Sequence, residues 1–222
     1  MNAFDFPPGF RTRDIATNGT SIYVRCGGTG PAVVLLHGYG ETGDMWAPMA
    51  VYLARDHTVV VPDLRRMGLS SKPAGGFDKK TQAGDVAGVL DELKIDRADL
   101  VTHDIGNMVG YAFAAQHPDR VTRFILIDAP LPGVEPWEEI LKNPLLWHFR
   151  FGGPDMERLV AGRERNLSRP ILERVFSDPC AIQRSGAQAL FQALRDARRN
   201  AFRFHAVRRV RPRRYRQPAI PR

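Results

Sequence analysis

Apolar residues along this chain gather into short continuous runs, each closed by a polar or glycine-rich stretch. "TSIYVRCGG", from Thr20, alternates and ends in glycines, which predicts a strand and a turn. "PAVVLLHGYGETG" and "HTVVVPDLRRMGLSS" are unbroken apolar runs followed by loops, the pattern of strands buried on both faces. "TQAGDVAGVLDELKI" changes period: Val86, Val89, Leu90 and Leu93 fall on one side of a helix. "ADLVTHDIG" predicts another buried strand, "NMVGYAFAAQHPDR" a helix stopped by Pro118, and "VTRFILIDAP" a further buried strand, the fifth strand in all.

Short apolar strands alternating with helices predict an α/β fold with a mostly parallel sheet. Ligands of such sheets sit at the carboxyl ends of the strands. His37, Asp63, Asp104 and Asp128 all fall at such ends. No internal repeat is visible.

The net charge of +8 points first toward nucleic acid or a membrane surface, but its distribution argues otherwise. Residues 166–222 hold 14 arginines, no lysine and three acids, a net +11, so the rest of the chain carries −3. Two compositions therefore meet near Arg165. Cys26 and Cys180 are too few and too far apart for a disulfide framework or a zinc site, and read as small buried or half-buried side chains. No signal-peptide pattern opens the chain and no apolar run approaches the roughly 18 residues of a membrane span, so a cytoplasmic protein is expected.

Two strings suggest chemistry. "GYGETG", Gly38–Gly43, is a G-x-G-x-x-G loop after a strand, and Asp63 lies 20 residues past Gly43, where a dinucleotide fold keeps its ribose-binding acid. That scheme leaves "DLRRMGLSS" and the Asp104 corner without a role. At Asp104 the plain alternative is a helix N-cap. "THDIG" also fits small-x-nucleophile-x-small, the sharp strand-to-helix elbow on which hydrolases mount a nucleophile. Such an elbow needs backbone N–H donors for a developing oxyanion, one after the nucleophile and one from an earlier loop. Ile105 and Tyr39 fill those places, with His37, Gly38 and Gly106 shaping the turn.

From about residue 20 to Arg165, "LLHGYGETGDMW", "VPDLRRMGLSSKP", "THDIGNMVGYAFAAQHPDRV" and "LIDAP", in this order, resemble the epoxide hydrolase branch of the α/β hydrolases. Two positions depart: Thr102 and Arg66 stand where glycine is usual. The resemblance implies an α/β-hydrolase fold, with residues 1–133 as the N-terminal part of the core and 134–165 as the start of a helical cap. It implies a small-molecule substrate, an epoxide or related electrophile, with no cofactor, metal, nucleic acid or membrane partner. Asp104 would be the nucleophile. A carboxylate with an ordinary pKa near ~4 is already ionised at neutral pH and opens a strained ring without a base, forming an alkyl-enzyme ester. His148, in "NPLLWHFRF", would donate to the epoxide oxygen from the cap; its alternative is packing beside Trp147 and Phe149. Dehalogenases of this fold use the same aspartate, which leaves a haloalkane-type dehalogenase as the second reading. Ile105 replaces the tryptophan those enzymes place beside the nucleophile, and "DIGNMVG" lacks the arginine of fluoroacetate dehalogenases.

The resemblance also calls for a late histidine with an acid upstream of it. Of the six histidines only His205 is late, in the arginine-rich segment and with no buried strand before it. The C-terminal part of the core, with base and acid, is therefore expected to be missing, and the chain to be unable to turn over. Three readings of 166–222 are a basic nucleic-acid arm on a non-catalytic protein, a disordered end, and translation in a wrong frame. Back-translated with suitable synonymous codons and read one nucleotide later, 166–176 gives IYLDRFWNEF, similar to the family's cap, which favours the frameshift. The oligomeric state has no signature here.

Overall fold

The computed structural model describes residues 6–144, 146, 154–163 and 166. The strands are β1 (Arg11–Thr17), β2 (Thr20–Gly27), β3 (Ala32–Leu36), β4 (Thr58–Pro62), β5 (Ala98–His103) and β6 (Val121–Ile127). The helices are α1 (Ala47–Leu53), α2 (Lys79–Glu92), α3 (Ile105–Gln116), α4 (Trp137–Lys142) and α5 (Pro154–Val160). The strands form one sheet in the order β1-β2-β4-β3-β5-β6. β4, β3, β5 and β6 are parallel, while β1 and β2 run antiparallel at one side. This is the mostly parallel α/β sheet that the alternation of runs and helices predicts, in the arrangement that the resemblance implies.

The continuous apolar runs are buried on both faces because strand side chains alternate. Val34, Leu36, Val60 and Leu100 meet Val86, Val89, Leu90, Val109 and Phe113 of α2 and α3. Val33, Leu35, Val59, Val61 and Val101 face the other way, onto Trp46 and Ala50. α2 starts at Asp78, whose side chain accepts the Thr81 N–H, and buries the predicted Val86, Val89 and Leu90. A buried ion pair fixes its direction. Arg65, in the loop after β4, donates from Nε to Asp85 Oδ2 at 2.7 Å and from Nη2 to Asp85 Oδ1 at 2.6 Å. Arg65 Nη2 also bonds the Asn18 carbonyl between β1 and β2.

The structure differs from the sequence reading in two elements. β1 carries no recognisable run, since only Ile15 of its seven residues is buried; an edge strand needs one inward anchor. β6, expected to be buried on both faces, is the last strand of the described sheet, with Ile125 50% and Leu126 43% exposed. Arg66 keeps the backbone usually assigned to glycine: its φ is +74°, and its guanidinium stacks 4.4 Å over Phe77. Cys26 is half-buried and free, and burial pushes its thiol up.

Candidate active site

β5 delivers Asp104 to the carboxyl edge of the sheet, and α3 begins at the next residue. The turn is sharp: Asp104 has φ +47° and ψ −118°. A non-glycine residue held there stores about 1–3 kcal/mol of backbone strain, which clusters at functional sites. Close approach explains the small neighbour. A Cβ on Gly106 would lie 2.6 Å from the Leu36 carbonyl oxygen and 2.8 Å from that of His37, both backbone atoms. Thr102 is accommodated from the opposite side: a Cβ on Gly110 would lie 2.9 Å from Thr102 Cγ2. The Thr102 hydroxyl donates to Asn107 Oδ1 at 2.6 Å, and Asn107 Nδ2 donates to the carbonyls of Ile127 and Ala129.

Asp104 occupies the position before α3, yet its side chain makes no capping hydrogen bond to that helix. Its Oδ2 instead accepts the main-chain N–H of Tyr39 at 2.8 Å. Ile105, 6% exposed, opens α3, so its N–H is among the first donors of the helix, which have no intrahelical acceptor. The expected residues Tyr39, Gly38, His37, Asp104, Ile105 and Gly106 thus meet at one corner. His148 lies outside the described residues.

His37 is fully buried. Its Nε2 accepts the Leu64 N–H at 2.8 Å, so Nδ1, 2.9 Å from the Gly38 carbonyl, carries the proton. Burial pushes its pKa down, with Asp63 pulling weakly the other way. It ties the loop after β3 to the loop after β4 as a neutral ring.

Asp63 is equally buried. Its Oδ1 accepts from Arg25 Nη1 and the Gly43 N–H at 2.8 and 2.7 Å, and its Oδ2 from the Leu69 N–H at 2.8 Å. A carboxylate spent on three internal donors cannot hold a ribose, which removes the dinucleotide reading of "GYGETG".

Four titratable groups at this edge had no assigned role. His103 Nδ1 lies 3.0 Å from Glu41 Oε2, which also accepts the Gly38 N–H at 2.7 Å. The hydrogen bond to Glu41 raises the His103 pKa, against burial, with Asp104 and Asp128 adding to the rise. Burial pushes Glu41 up, but His103 and the Gly38 N–H outweigh it and leave the carboxyl below its ordinary value. Asp128 closes β6 with φ +72°, its carboxylate 79% exposed and its Oδ2 3.7 Å from His103 Nε2. Lys79, the first residue of α2, is brought down to about 8 by burial, opposed by the charges of Asp104 and Asp78. Glu41 was legible inside "GYGETG"; a lysine after a Gly-Gly loop carries no such signal.

Among the described residues no group of three or more His, Cys, Asp or Glu side chains could hold a metal ion, and no helix is long and apolar enough to cross a membrane. Residues 31–173 match the family model of the alpha/beta hydrolase fold. The chain is 36% identical over 150 residues to a fluoroacetate dehalogenase of Burkholderia sp., covering 64% of this chain and 49% of that protein. It is 34% identical over 155 residues to a soluble epoxide hydrolase of Corynebacterium sp., covering 68% and 54%. A solved structure of a variant Vigna radiata epoxide hydrolase superposes with a TM-score of 0.60 at 28% identity, over 69% of this chain and 51% of that one. The chain spans about half the length of these curated relatives. With the elbow, the sheet order and the family match in agreement, this chain belongs to the α/β hydrolase fold family.

Proposed function

We propose that the site opens a small epoxide by direct attack of Asp104. The observation that carries this is the bond from the Tyr39 N–H to Asp104 Oδ2. It holds one carboxylate oxygen and leaves Oδ1 to attack. Oδ1 forms a bond to a ring carbon, the carbon–oxygen bond breaks, and its electron pair stays on the oxygen as an alkoxide that takes up a proton. His148, from the start of a cap at 134–165, is the proposed donor of that proton. The product is a hydroxyalkyl ester of Asp104. Hydrolysis of that ester puts an oxyanion on Oδ2, between the N–H groups of Tyr39 and Ile105.

That second half-reaction needs a base. Among the described residues beside Asp104, His37 is bonded at both nitrogens, and the Glu41 hydrogen bond favours the protonated His103 ring, which is a poorer base. The reading we propose is that this chain stops at the ester. Intact mass after incubation with a reactive epoxide tests the reading. One equivalent of adduct on Asp104, absent in Asp104→Asn, is expected. Sustained diol release without adduct would sink the single-turnover reading, and adduct at another residue would sink the nucleophile.

The second reading, a dehalogenase, is favoured by the 36% identity to the Burkholderia protein. The same Oδ1 would displace a halide. Release of halide ion stoichiometric with an Asp104 ester distinguishes it. A basic binding protein would show salt-sensitive nucleic-acid binding that disappears when 166–222 are deleted; residues 167–222 lie outside the described residues.

A further inference from the structure

We infer that Asn107 and Thr102 are positioning residues for the nucleophile, bracing the elbow at Asp104 against the end of β6. The inference deepens the reading of Asp104 as nucleophile and rests on it. Both side chains are polar and fully buried. They stand on either side of Asp104, Thr102 in β5 just before it and Asn107 in the first turn of α3.

The Asn107 amide has one consistent orientation. Its Oδ1 accepts the Thr102 hydroxyl at 2.6 Å, and its Nδ2 donates to the Ile127 carbonyl at 3.0 Å and the Ala129 carbonyl at 2.9 Å. Turning the amide over would aim its oxygen at two carbonyl oxygens. Those carbonyls flank Asp128, which has φ +72°. The Ile127 carbonyl is the meeting point, because it also accepts the N–H of Ala129 at 3.0 Å and that of Asp104 at 3.4 Å. Two non-glycine residues in the left-handed region, Asp104 at φ +47° and Asp128, thus lean on one carbonyl that Asn107 holds. The main-chain N–H of Asn107 closes the brace on the Asp104 carbonyl at 2.9 Å.

Stability alone does not explain a polar pair in this place. An apolar pair of the same shape would fill the space without desolvating an amide and a hydroxyl, and satisfied buried hydrogen bonds add only modestly to net stability. What they supply is direction. Thr102 and Asn107 fix β5, α3 and the turn after β6 to one another at the point where the nucleophile projects. The conformation of Asp104 sets where its carboxylate stands beside the Tyr39 N–H, and so the line along which Oδ1 approaches a ring carbon. Displacement depends on that line, so a small rotation of the elbow slows bond formation and leaves binding of the epoxide in place. The ring-opening step is unchanged: Oδ1 bonds to the ring carbon and the ring oxygen leaves as alkoxide.

The test uses the full chain and styrene oxide over a range of concentrations. Adduct formation on Asp104 is followed by intact mass and peptide mapping. The near-isosteric variants Asn107→Leu and Thr102→Val remove the amide and the hydroxyl. Asn107→Leu is expected to lower the limiting labelling rate about tenfold and Thr102→Val about threefold, the scale of lost hydrogen bonds. The half-saturating concentration should not move. Thr102→Ser, which keeps the hydroxyl, should label at the parent rate. Thermal melts establish that each variant is folded at the labelling temperature, where a loss of stability alone leaves the rate untouched. Parent-like limiting rates in both Asn107→Leu and Thr102→Val overturn the inference while leaving the nucleophile intact, and so does a rate loss that Thr102→Ser shares in full. If Asn107→Leu does not fold, Thr102→Val decides by the same criterion. A parent chain that styrene oxide does not label at Asp104 overturns the nucleophile reading, and the inference with it.

Discussion

The main-chain N–H of Tyr39 lies 2.8 Å from Oδ2 of Asp104, so a loop after β3 grips a side chain at the end of β5. The grip helps hold Asp104 at φ +47°, a backbone conformation that costs a non-glycine residue about 1–3 kcal/mol. Asp104→Gly should therefore abolish adduct formation and raise stability by about 1 kcal/mol, because glycine enters this region freely. Asp104→Ala should abolish the adduct without that gain, since alanine keeps the strain. Urea unfolding of the two variants gives the comparison. A glycine variant no more stable than the alanine variant would mean the elbow is relaxed.

Thr102 sits where this elbow usually has glycine, and Gly110 makes room for it. Gly110→Ala should cost about 1–3 kcal/mol, the usual range for overpacking, because its Cβ would meet Thr102 Cγ2 at 2.9 Å and the Phe124 ring at 3.0 Å. Adding Thr102→Ser removes the methyl but keeps the hydroxyl bond to Asn107, and should recover part of the loss. Full recovery would show that the Phe124 contact is soft, and no recovery that Thr102 is not the obstacle. Thermal unfolding of the parent chain and the two variants decides.

The core of the sheet was legible because its chemistry is local. Val33–Leu36 and Val59–Val61 are apolar on both faces, and position in the sequence alone reveals that. The corner at Asp104 was legible for the same reason, since "THDIG" puts small residues where the chain must turn. The partners of Asp63 were not, because Arg25 and Gly43 reach it from elsewhere in the sequence, and only the folded chain shows that its carboxylate is already spent. β1 was unreadable for want of buried residues. β6 was read as interior, since a sequence records how apolar a strand is and not what lies against it.

Arg65 and Asp85 join the loop after β4 to the middle of α2 through a two-point contact with both side chains 4% exposed. Removing one partner leaves a buried charge uncompensated, so Asp85→Ala should cost about 3–5 kcal/mol. Replacing both by apolar residues of similar volume, Arg65→Met with Asp85→Leu, should cost much less. Because the double variant leaves no buried charge unpaired, it is expected to keep its fold. Urea denaturation of the single and double variants gives the comparison. A double variant as unstable as Asp85→Ala would place the stabilisation in the remaining bond from Arg65 to the Asn18 carbonyl.

His103 and Glu41, 3.0 Å apart beside the nucleophile, give the site a pH dependence whose sign is fixed. The pKa of His103 is raised in the folded chain, by the Glu41 hydrogen bond before any other favourable contact. A histidine shifted upward stabilises the fold fully below its unfolded value of about 6.5 and loses that contribution as pH rises through the folded value. Glu41, shifted downward, contributes above its unfolded value and loses that on acidification. The pair is therefore strongest in mildly acidic solution, where both members are charged. Glu41→Gln keeps an acceptor for the Gly38 N–H but removes the charge, so His103 should titrate lower, as read by its ring resonances in NMR. The stability lost on substitution should be larger at pH 5.5 than at pH 8.5. Equal losses at the two values would mean that Glu41 acts through the Gly38 N–H alone, with His103 a bystander.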